Sequence, residues 1–284
     1  MIAEIDTRQI SKVQQELQSI YFAVFPQGDP DFIPRVFDWT SDCFTGRYKD
    51  YQAIDARYHD LQHTLQVTLC MARLLRGRHV AKATPVLTQK MFEVGLTAIL
   101  LHDTGYLKKR KDTQGTGAKY TLIHVDRSME FAAEMLREKN VPIAEIRAVQ
   151  NMIRCTGVNV NLSAIPFQSE QERITGYSLG TGDLLGQMAA PDYVEKLPIL
   201  YSEFAEAFHY NAGKMGSEDM FSSAEDLLQK TPLFWEKYVK NKIENDFQGL
   251  FRFLNDPYPD GNNLYVERIE KNMSRLRRQL QQGA

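Results

Sequence analysis

The chain has 284 residues, of which 43% are hydrophobic and 25% charged, and its formal net charge is −2 at pH 7. This composition is typical of a soluble globular protein with a sizeable core, and the charge argues against a nucleic-acid-binding surface. The three cysteines form no CxxC pair, which argues against a zinc–thiolate site or a disulfide framework and favours a cytoplasmic location. Because the N-terminus does not resemble a signal peptide and no apolar run approaches about 18 residues, we expect no membrane association.

Helical periodicity dominates the chain, and no segment of any length alternates with period two. Residues 29–51 are mixed and predict short helices and turns, residues 107–119 a basic loop, and residues 256–261 a turn. Thr84 and Pro85 resemble an N-cap followed by a proline at the first helical position. The predicted helices cover residues 7–24, 58–75, 84–103, 120–139, 142–155, 168–189, 199–212, 218–229, 231–254 and 263–281, with Pro191 and Pro198 as interruptions.

This pattern predicts an all-α protein with additional helices at both ends. We expect an N-terminal helical wrapping over residues 1–50, a core over 51–212, and C-terminal helices over 213–284 that pack on that core. The apolar stripe of the last helix fits either the chain's own core or a second subunit, so a homodimer is an open alternative.

The segment 92–106, with the sequence FEVGLTAILLHDTGY, is the most informative stretch of the chain. A helix that is apolar on every side belongs in a protein core. This one ends on His102 and Asp103, whose burial costs free energy unless each group finds a partner. A metal ion would satisfy both side chains.

Other predicted helices supply further candidate ligands. His59 and His63 are four residues apart and so point the same way from a helix, while His124 and Asp183 each lie on a helix of their own. Imidazoles combined with carboxylates suit zinc, manganese, iron or nickel, whereas magnesium alone prefers more oxygen ligands. Any one of these residues alone is as easily a surface or packing residue, but their combination predicts a divalent metal site.

Four segments resemble the HD superfamily of metal-dependent phosphohydrolases, whose signature is H…HD…D. They are YHDLQH at 58–63, AILLHDTGY at 98–106, MIRCTG at 152–157 and TGDLLGQMAAPDY at 181–193. The first is also similar to the YHNxxH motif of the class I cyclic nucleotide phosphodiesterases. The other three resemble that family's HDxxH region, its helix before the second aspartate and its segment that carries the last metal aspartate. The resemblance spans about residues 57–205 and implies an all-helical HD-domain bundle.

By this resemblance, the metal ligands are His63, His102, Asp103 and Asp183, and His59 matches the histidine that donates a proton. Three positions depart from the phosphodiesterase or binuclear pattern: Asp60 replaces an asparagine, Tyr106 a histidine, and Cys155 lies near a further histidine position. These departures leave open whether one metal or two are bound. His124 is similar in placement to an extra histidine of some members, and it could bind a second metal, contact a substrate phosphate or be structural.

The resulting hypothesis is hydrolysis of a small phosphorylated substrate, such as a nucleotide. Asp103 would hold the metal that activates a water, and His59 would act as general acid. Lys108 is a candidate substrate-binding residue, although the basic run that it begins is as easily a solvated loop. The alternatives are a non-catalytic HD module that binds a metal or nucleotide as a sensor, and a di-iron oxygenase.

Overall fold

The computed structural model describes residues 5–211 and 221–282, and in these residues the chain is all-α, as predicted. A two-residue antiparallel pair, β1 (Asn255–Asp256) and β2 (Asn262–Asn263), is the only sheet within that part of the chain. The α-helices are α1 Ile10–Val24, α2 Phe32–Phe44, α3 Leu61–Val80, α4 Gln89–Leu101, α5 His124–Glu138, α6 Ile143–Arg154, α7 Glu170–Met188, α8 Tyr193–Asn211, α9 Ala224–Leu233 and α10 Leu264–Gln282.

The centre of the molecule is formed by α3, α4 and α7. The prediction that α4 is buried on all sides is confirmed, since nearly all of its residues from Phe92 to Leu101 are buried. Helices α3 and α7 cross in close contact because α7 carries glycines at the crossing. A Cβ atom at Gly186 would lie only 2.6 Å from the Cα of Val67, so only glycine fits there.

The outer helices pack on this centre. Helix α1 is tied to α4 by the Tyr21 hydroxyl, which donates to Glu93 at 2.5 Å. Helix α10 buries Ile269, Met273 and Leu276, the apolar stripe identified in the sequence. The stripe therefore packs within its own chain, which is one of the two arrangements that the sequence left open.

Two predicted helix starts are wrong. Helix α4 begins at Gln89, because the Thr88 hydroxyl rather than Thr84 caps it and accepts from Met91 N at 3.1 Å. Helix α3 begins at Leu61 with Asp60 as its N-cap, so the histidine pair 59 and 63 does not lie on one helix.

The helical boundaries in the second half also differ from the prediction. Pro198 lies inside α8 rather than interrupting a helix. The predicted helix 231–254 is instead the end of α9, two π-helical turns and a 3-10 turn, Leu250–Leu254. The predicted helix start at 218 and the domain boundary after residue 212 lie outside the described residues.

No helix within residues 5–211 and 221–282 has the length and apolarity needed to cross a lipid bilayer.

Candidate metal centre

His63 is placed by the N-terminal turn of α3. The Asp60 carboxylate accepts a hydrogen bond from His63 N at 2.8 Å and so closes the first turn of the helix. The imidazole itself is buried, with only 3% of its side chain exposed. The cap therefore holds a polar ring inside the core at a fixed position.

His102 and Asp103 occupy the C-terminal end of α4. His102 Nδ1 lies 2.7 Å from the Ile99 carbonyl oxygen, to which it donates, and this leaves Nε2 with an open lone pair. The chain then turns sharply through Thr104–Tyr106, because the Thr104 hydroxyl donates to Leu101 O at 2.7 Å. Metal-binding histidines commonly donate their second ring N–H to a carbonyl in this way.

Asp183 reaches the same place from α7. The close crossing of α3 and α7 at the glycines brings its carboxylate against the two buried imidazoles. Gln187, one turn later, lies behind it and donates to the Asp183 carbonyl oxygen at 3.1 Å. The Gln187 amide is fixed in turn by the Tyr58 hydroxyl, which donates to it at 2.9 Å.

The four residues form one cluster, called here the metal-ligand cluster: His63, His102, Asp103 and Asp183. Nε2 of each histidine lies 3.2 Å from Asp103 Oδ2 and 3.6 Å from Asp183 Oδ1. Ligand atoms about 2.0–2.2 Å from a common metal would lie about 3–3.5 Å apart. The sequence hypothesis required these side chains to meet, and the structure brings them together.

The cluster also leaves polar atoms unsatisfied. His102 Nε2 and Asp103 Oδ2 are buried and, among the described residues, have no hydrogen-bond partner. Buried polar atoms without a partner are rare because each costs about 1–3 kcal/mol. A divalent cation would satisfy both atoms, so the residues fit a metal, and His63, His102 and Asp103 form a buried group that could hold one.

The pKa shifts in the cluster also favour a bound cation. Burial alone would lower the pKa of His63, but the carboxylates of Asp103 and Asp183 outweigh burial and raise that pKa to about 9. The same balance raises the pKa of His102. The two carboxylates therefore favour positive charge at the cluster, and a bound cation would supply that charge in place of protons.

His59 lies just before α3 rather than on it. Its Nδ1 is 2.6 Å from Glu203 Oε2, and the other oxygen of Glu203 accepts from Tyr58 N at 2.7 Å. The Glu203 side chain comes from α8 and is only 5% exposed, whereas His59 is 14% exposed. His59 is thus oriented by a buried carboxylate while part of its ring remains open to solvent.

The Glu203 carboxylate is held in its charged form. Burial raises its pKa, but the facing His59 and hydrogen bonds from His59 and Tyr58 outweigh burial and lower it. Glu203 was not among the predicted site residues. The sequence signals its burial but not its partner, because Glu203 shares the buried face of α8 with Leu197 and Ala207.

His124 and Tyr106 lie beside the cluster. The Tyr106 ring stacks between His59, at 4.5 Å between ring centroids, and His124, at 5.0 Å. His124 Nε2 is 3.9 Å from Asp103 Oδ1, and burial lowers the pKa of His124 despite the nearby carboxylate. Burial therefore favours the neutral form of His124 at the edge of the cluster, and its three interpretations stay open.

The Lys108 amine has its partners outside the cluster. The side chain is 4% exposed, and its amine forms a salt bridge with Asp55 at 2.8 Å and donates to Gly115 O at 2.6 Å. Cys155 is a buried free cysteine whose thiol pKa is raised by burial. The two contacts of the Lys108 amine, with Asp55 and Gly115 O, therefore hold the 107–119 loop in place.

A search among curated proteins gave no match. The family model described as Npun_R2479-like matches residues 6–121 and 110–255, which together span the metal-ligand cluster, His59 and Glu203. Because these matches cover well over half of the sequence, the chain belongs to the Npun_R2479-like family.

Proposed function

We propose that the protein is a metal-dependent phosphohydrolase of the HD type, which cleaves a phosphoester in a small phosphorylated substrate such as a nucleotide. The observation that carries the proposal is the pairing of His59 with Glu203, directly beside four side chains that converge as a metal-ligand set. A purely structural metal site would not need a second, partly exposed histidine held by a buried carboxylate.

The positions of these residues suggest a separate role for the metal-ligand cluster and for His59. His63, His102, Asp103 and Asp183 would hold the cation. The chemistry that a divalent cation supplies when bound is Lewis acidity toward a phosphoryl oxygen and a lowered pKa of bound water.

His59 would supply the proton that the departing oxygen needs. Cleavage breaks a P–O bond, and the alkoxide that leaves must be protonated. Histidine titrates near neutral pH and so can both hold and release a proton there. Glu203 accepts from Nδ1, which leaves Nε2 as the atom that can donate to the substrate.

The proposal is tested by metal content and turnover measured on the same samples. Wild-type protein reconstituted with manganese, zinc, iron, magnesium or nickel in turn is assayed on bis-p-nitrophenyl phosphate and on a panel of phosphoesters. We expect turnover with at least one metal and a loss of at least about 100-fold in His59→Ala, with metal content unchanged. His79→Ala, which removes an exposed histidine far from the cluster along α3, should leave turnover unchanged.

A protein that binds metal but turns over none of these phosphoesters would overturn the proposal. That result would instead favour the non-catalytic module, in which the metal-ligand cluster serves binding alone.

A further inference from the structure

The orientation of the His59 ring depends on more than its contact with Glu203. Glu203 Oε2 lies 2.6 Å from Nδ1 and so fixes one atom of the imidazole. A single hydrogen bond leaves the ring free to pivot about that bond, and the χ2 torsion of histidine has only broad preferences of its own. The direction in which Nε2 points is therefore decided by what packs against the faces of the ring.

Tyr106 supplies a parallel face for this imidazole. Its ring centroid lies 4.5 Å from that of His59, and the two ring planes differ by only 14°. Tyr58 and His63 meet the same imidazole at steep angles instead, 66° and 71°, with centroids at 5.0 and 5.4 Å. An offset parallel contact at this distance is favourable, whereas turning the imidazole about its hydrogen bond would drive its edge into the tyrosine ring.

The tyrosine ring is itself held rigidly. Tyr106 is completely buried. The Arg127 guanidinium, on α5, donates to the carbonyl oxygens of the two flanking residues, Gly105 and Leu107, each at 2.7 Å. Gly117 passes so close that a Cβ atom there would lie 2.2 Å from the Tyr106 carbonyl oxygen. A side chain fixed in this way can constrain its neighbour, because a packed interior has little room to yield.

The hydroxyl of Tyr106 does not contribute to the contact with His59. It is buried and, within residues 5–211 and 221–282, has no hydrogen-bond partner. Phenylalanine at this position would therefore keep the ring and its contact with His59 without breaking a hydrogen bond. The roles of the ring and of the hydroxyl can thus be tested separately.

We propose that Tyr106 is a positioning residue for His59, whose ring fixes the plane of the imidazole and so aims Nε2 at the departing oxygen of the substrate. Glu203 fixes one edge of the imidazole and Tyr106 fixes its plane, so neither contact is sufficient alone. The catalytic part of this inference rests on the proposed phosphohydrolase activity, whereas the geometric part does not.

The test compares Tyr106→Leu, which removes the ring, with Tyr106→Phe, which keeps it. In crystal structures, we expect the His59 ring of Tyr106→Leu to be turned by more than about 30° from its wild-type plane or to occupy several orientations, and that of Tyr106→Phe to keep the plane. On the phosphoester that the wild type cleaves fastest, kcat should fall at least about 10-fold in Tyr106→Leu, with KM and metal content little changed. Tyr106→Phe should restore kcat to within about 3-fold of wild type.

Phe92→Leu is the matched control for the loss of a buried ring. Phe92 lies on α4, is 1% exposed, and packs against Tyr21 and Phe25, with ring centroids at 6.2 and 5.4 Å, instead of against a histidine. Urea denaturation establishes first that each variant is folded, since both leucine variants remove buried volume. If Tyr106→Leu is unfolded, Tyr106→Met, whose longer side chain fills more of the space, replaces it. Phe92→Leu should keep the wild-type kcat and His59 plane.

An unchanged His59 plane in Tyr106→Leu, or a kcat within about 2-fold of wild type in that variant, would overturn the inference and leave the proposed hydrolase intact. A kcat loss in Tyr106→Phe as large as in Tyr106→Leu would also overturn it, because the hydroxyl rather than the ring would then be responsible. If the wild type cleaves no phosphoester, the hydrolase proposal fails, and the crystal structures alone decide whether Tyr106 orients His59.

Discussion

The metal-ligand cluster and the basic loop 107–119 are neighbours along the chain, and both bury polar side chains. In the loop, the amine of Lys108 pairs with Asp55 and Gly115 O, and that of Lys119 pairs with Asp112 at 2.5 Å and Gln114 O at 2.6 Å. In the cluster, by contrast, imidazole and carboxylate atoms approach one another, and two of them have no hydrogen-bond partner in the part of the chain that the structure describes.

The difference separates a structural use of buried charge from a functional one. A buried cation that has acceptors is satisfied within the fold, so removing it costs stability, and it has no electrostatic need for a ligand. A buried group that lacks a partner costs free energy in the folded chain, which a bound ion can recover. Position near a motif is therefore a weaker sign of function than unsatisfied polar atoms, and the following changes test that contrast.

The largest effect is expected from Asp183→Asn. The substitution preserves the shape of the side chain and removes one anionic ligand, so metal content after dialysis should fall, with affinity reduced about 100-fold or more. Added metal should raise the thermal unfolding midpoint of the wild type and leave that of the variant nearly unchanged. Elemental analysis and calorimetry measure both quantities. Wild-type metal content in the variant would show that Asp183 is not a ligand.

The next effect is expected from Glu203→Gln. The amide cannot hold the His59 ring as the carboxylate does, so kcat should fall about 10- to 100-fold while metal content and KM change little. The pH profile of kcat should also shift, because the charge facing His59 is lost. A structural role alone would not move that profile.

Glu206→Gln is the matched control for this prediction. Glu206 lies one turn further along α8, and its carboxylate accepts from the Thr116 hydroxyl at 2.6 Å instead of from a histidine. Its kcat should stay within about 2-fold of wild type. Equal losses in the two variants would mean that Glu203 acts only through the packing of α8.

The pair His59 and Glu203 shows which parts of the site can be predicted from the sequence and which cannot. The spacing of apolar residues predicts α4, and the combination of histidine and aspartate residues predicts the ligand set, because both are local or chemical signals. The position of His59 was not predictable, since the cap at Asp60 overrides the helical pattern around it. Glu203 joins His59 only through the packing of α8, a contact across 144 positions that no local pattern encodes.

Within the basic loop, Lys108→Met should affect stability rather than catalysis. It removes the bonds to Asp55 and Gly115 O, so the free energy of unfolding should fall by about 1–3 kcal/mol, measured by urea denaturation. Turnover by the folded protein should stay within about 2-fold. Lys111→Met, at an exposed position of the same loop, should change stability by less than about 0.5 kcal/mol. Lost turnover with unchanged stability would restore the substrate-binding role predicted for Lys108.

The smallest effect concerns the pH dependence of the same loop. Burial raises the pKa of Asp112, but hydrogen bonds from Lys119 and Tyr120 outweigh burial and lower it. The carboxylate therefore stabilises the fold fully above its ordinary pKa of about 4, and this contribution disappears as the pH falls through the lower native value.

Asp112→Asn isolates that contribution. At pH 6 the variant should be less stable than wild type by about 1 kcal/mol in urea denaturation, and this difference should disappear as the pH falls below about 4. Asp38→Asn, at an exposed position on α2, should show no such gap. A gap that persists at low pH would mean that packing, rather than the charged carboxylate, holds the loop. The loop 107–119 would then no longer be an example of buried charges that stabilise the fold because they have partners, and its contrast with the metal-ligand cluster would fail.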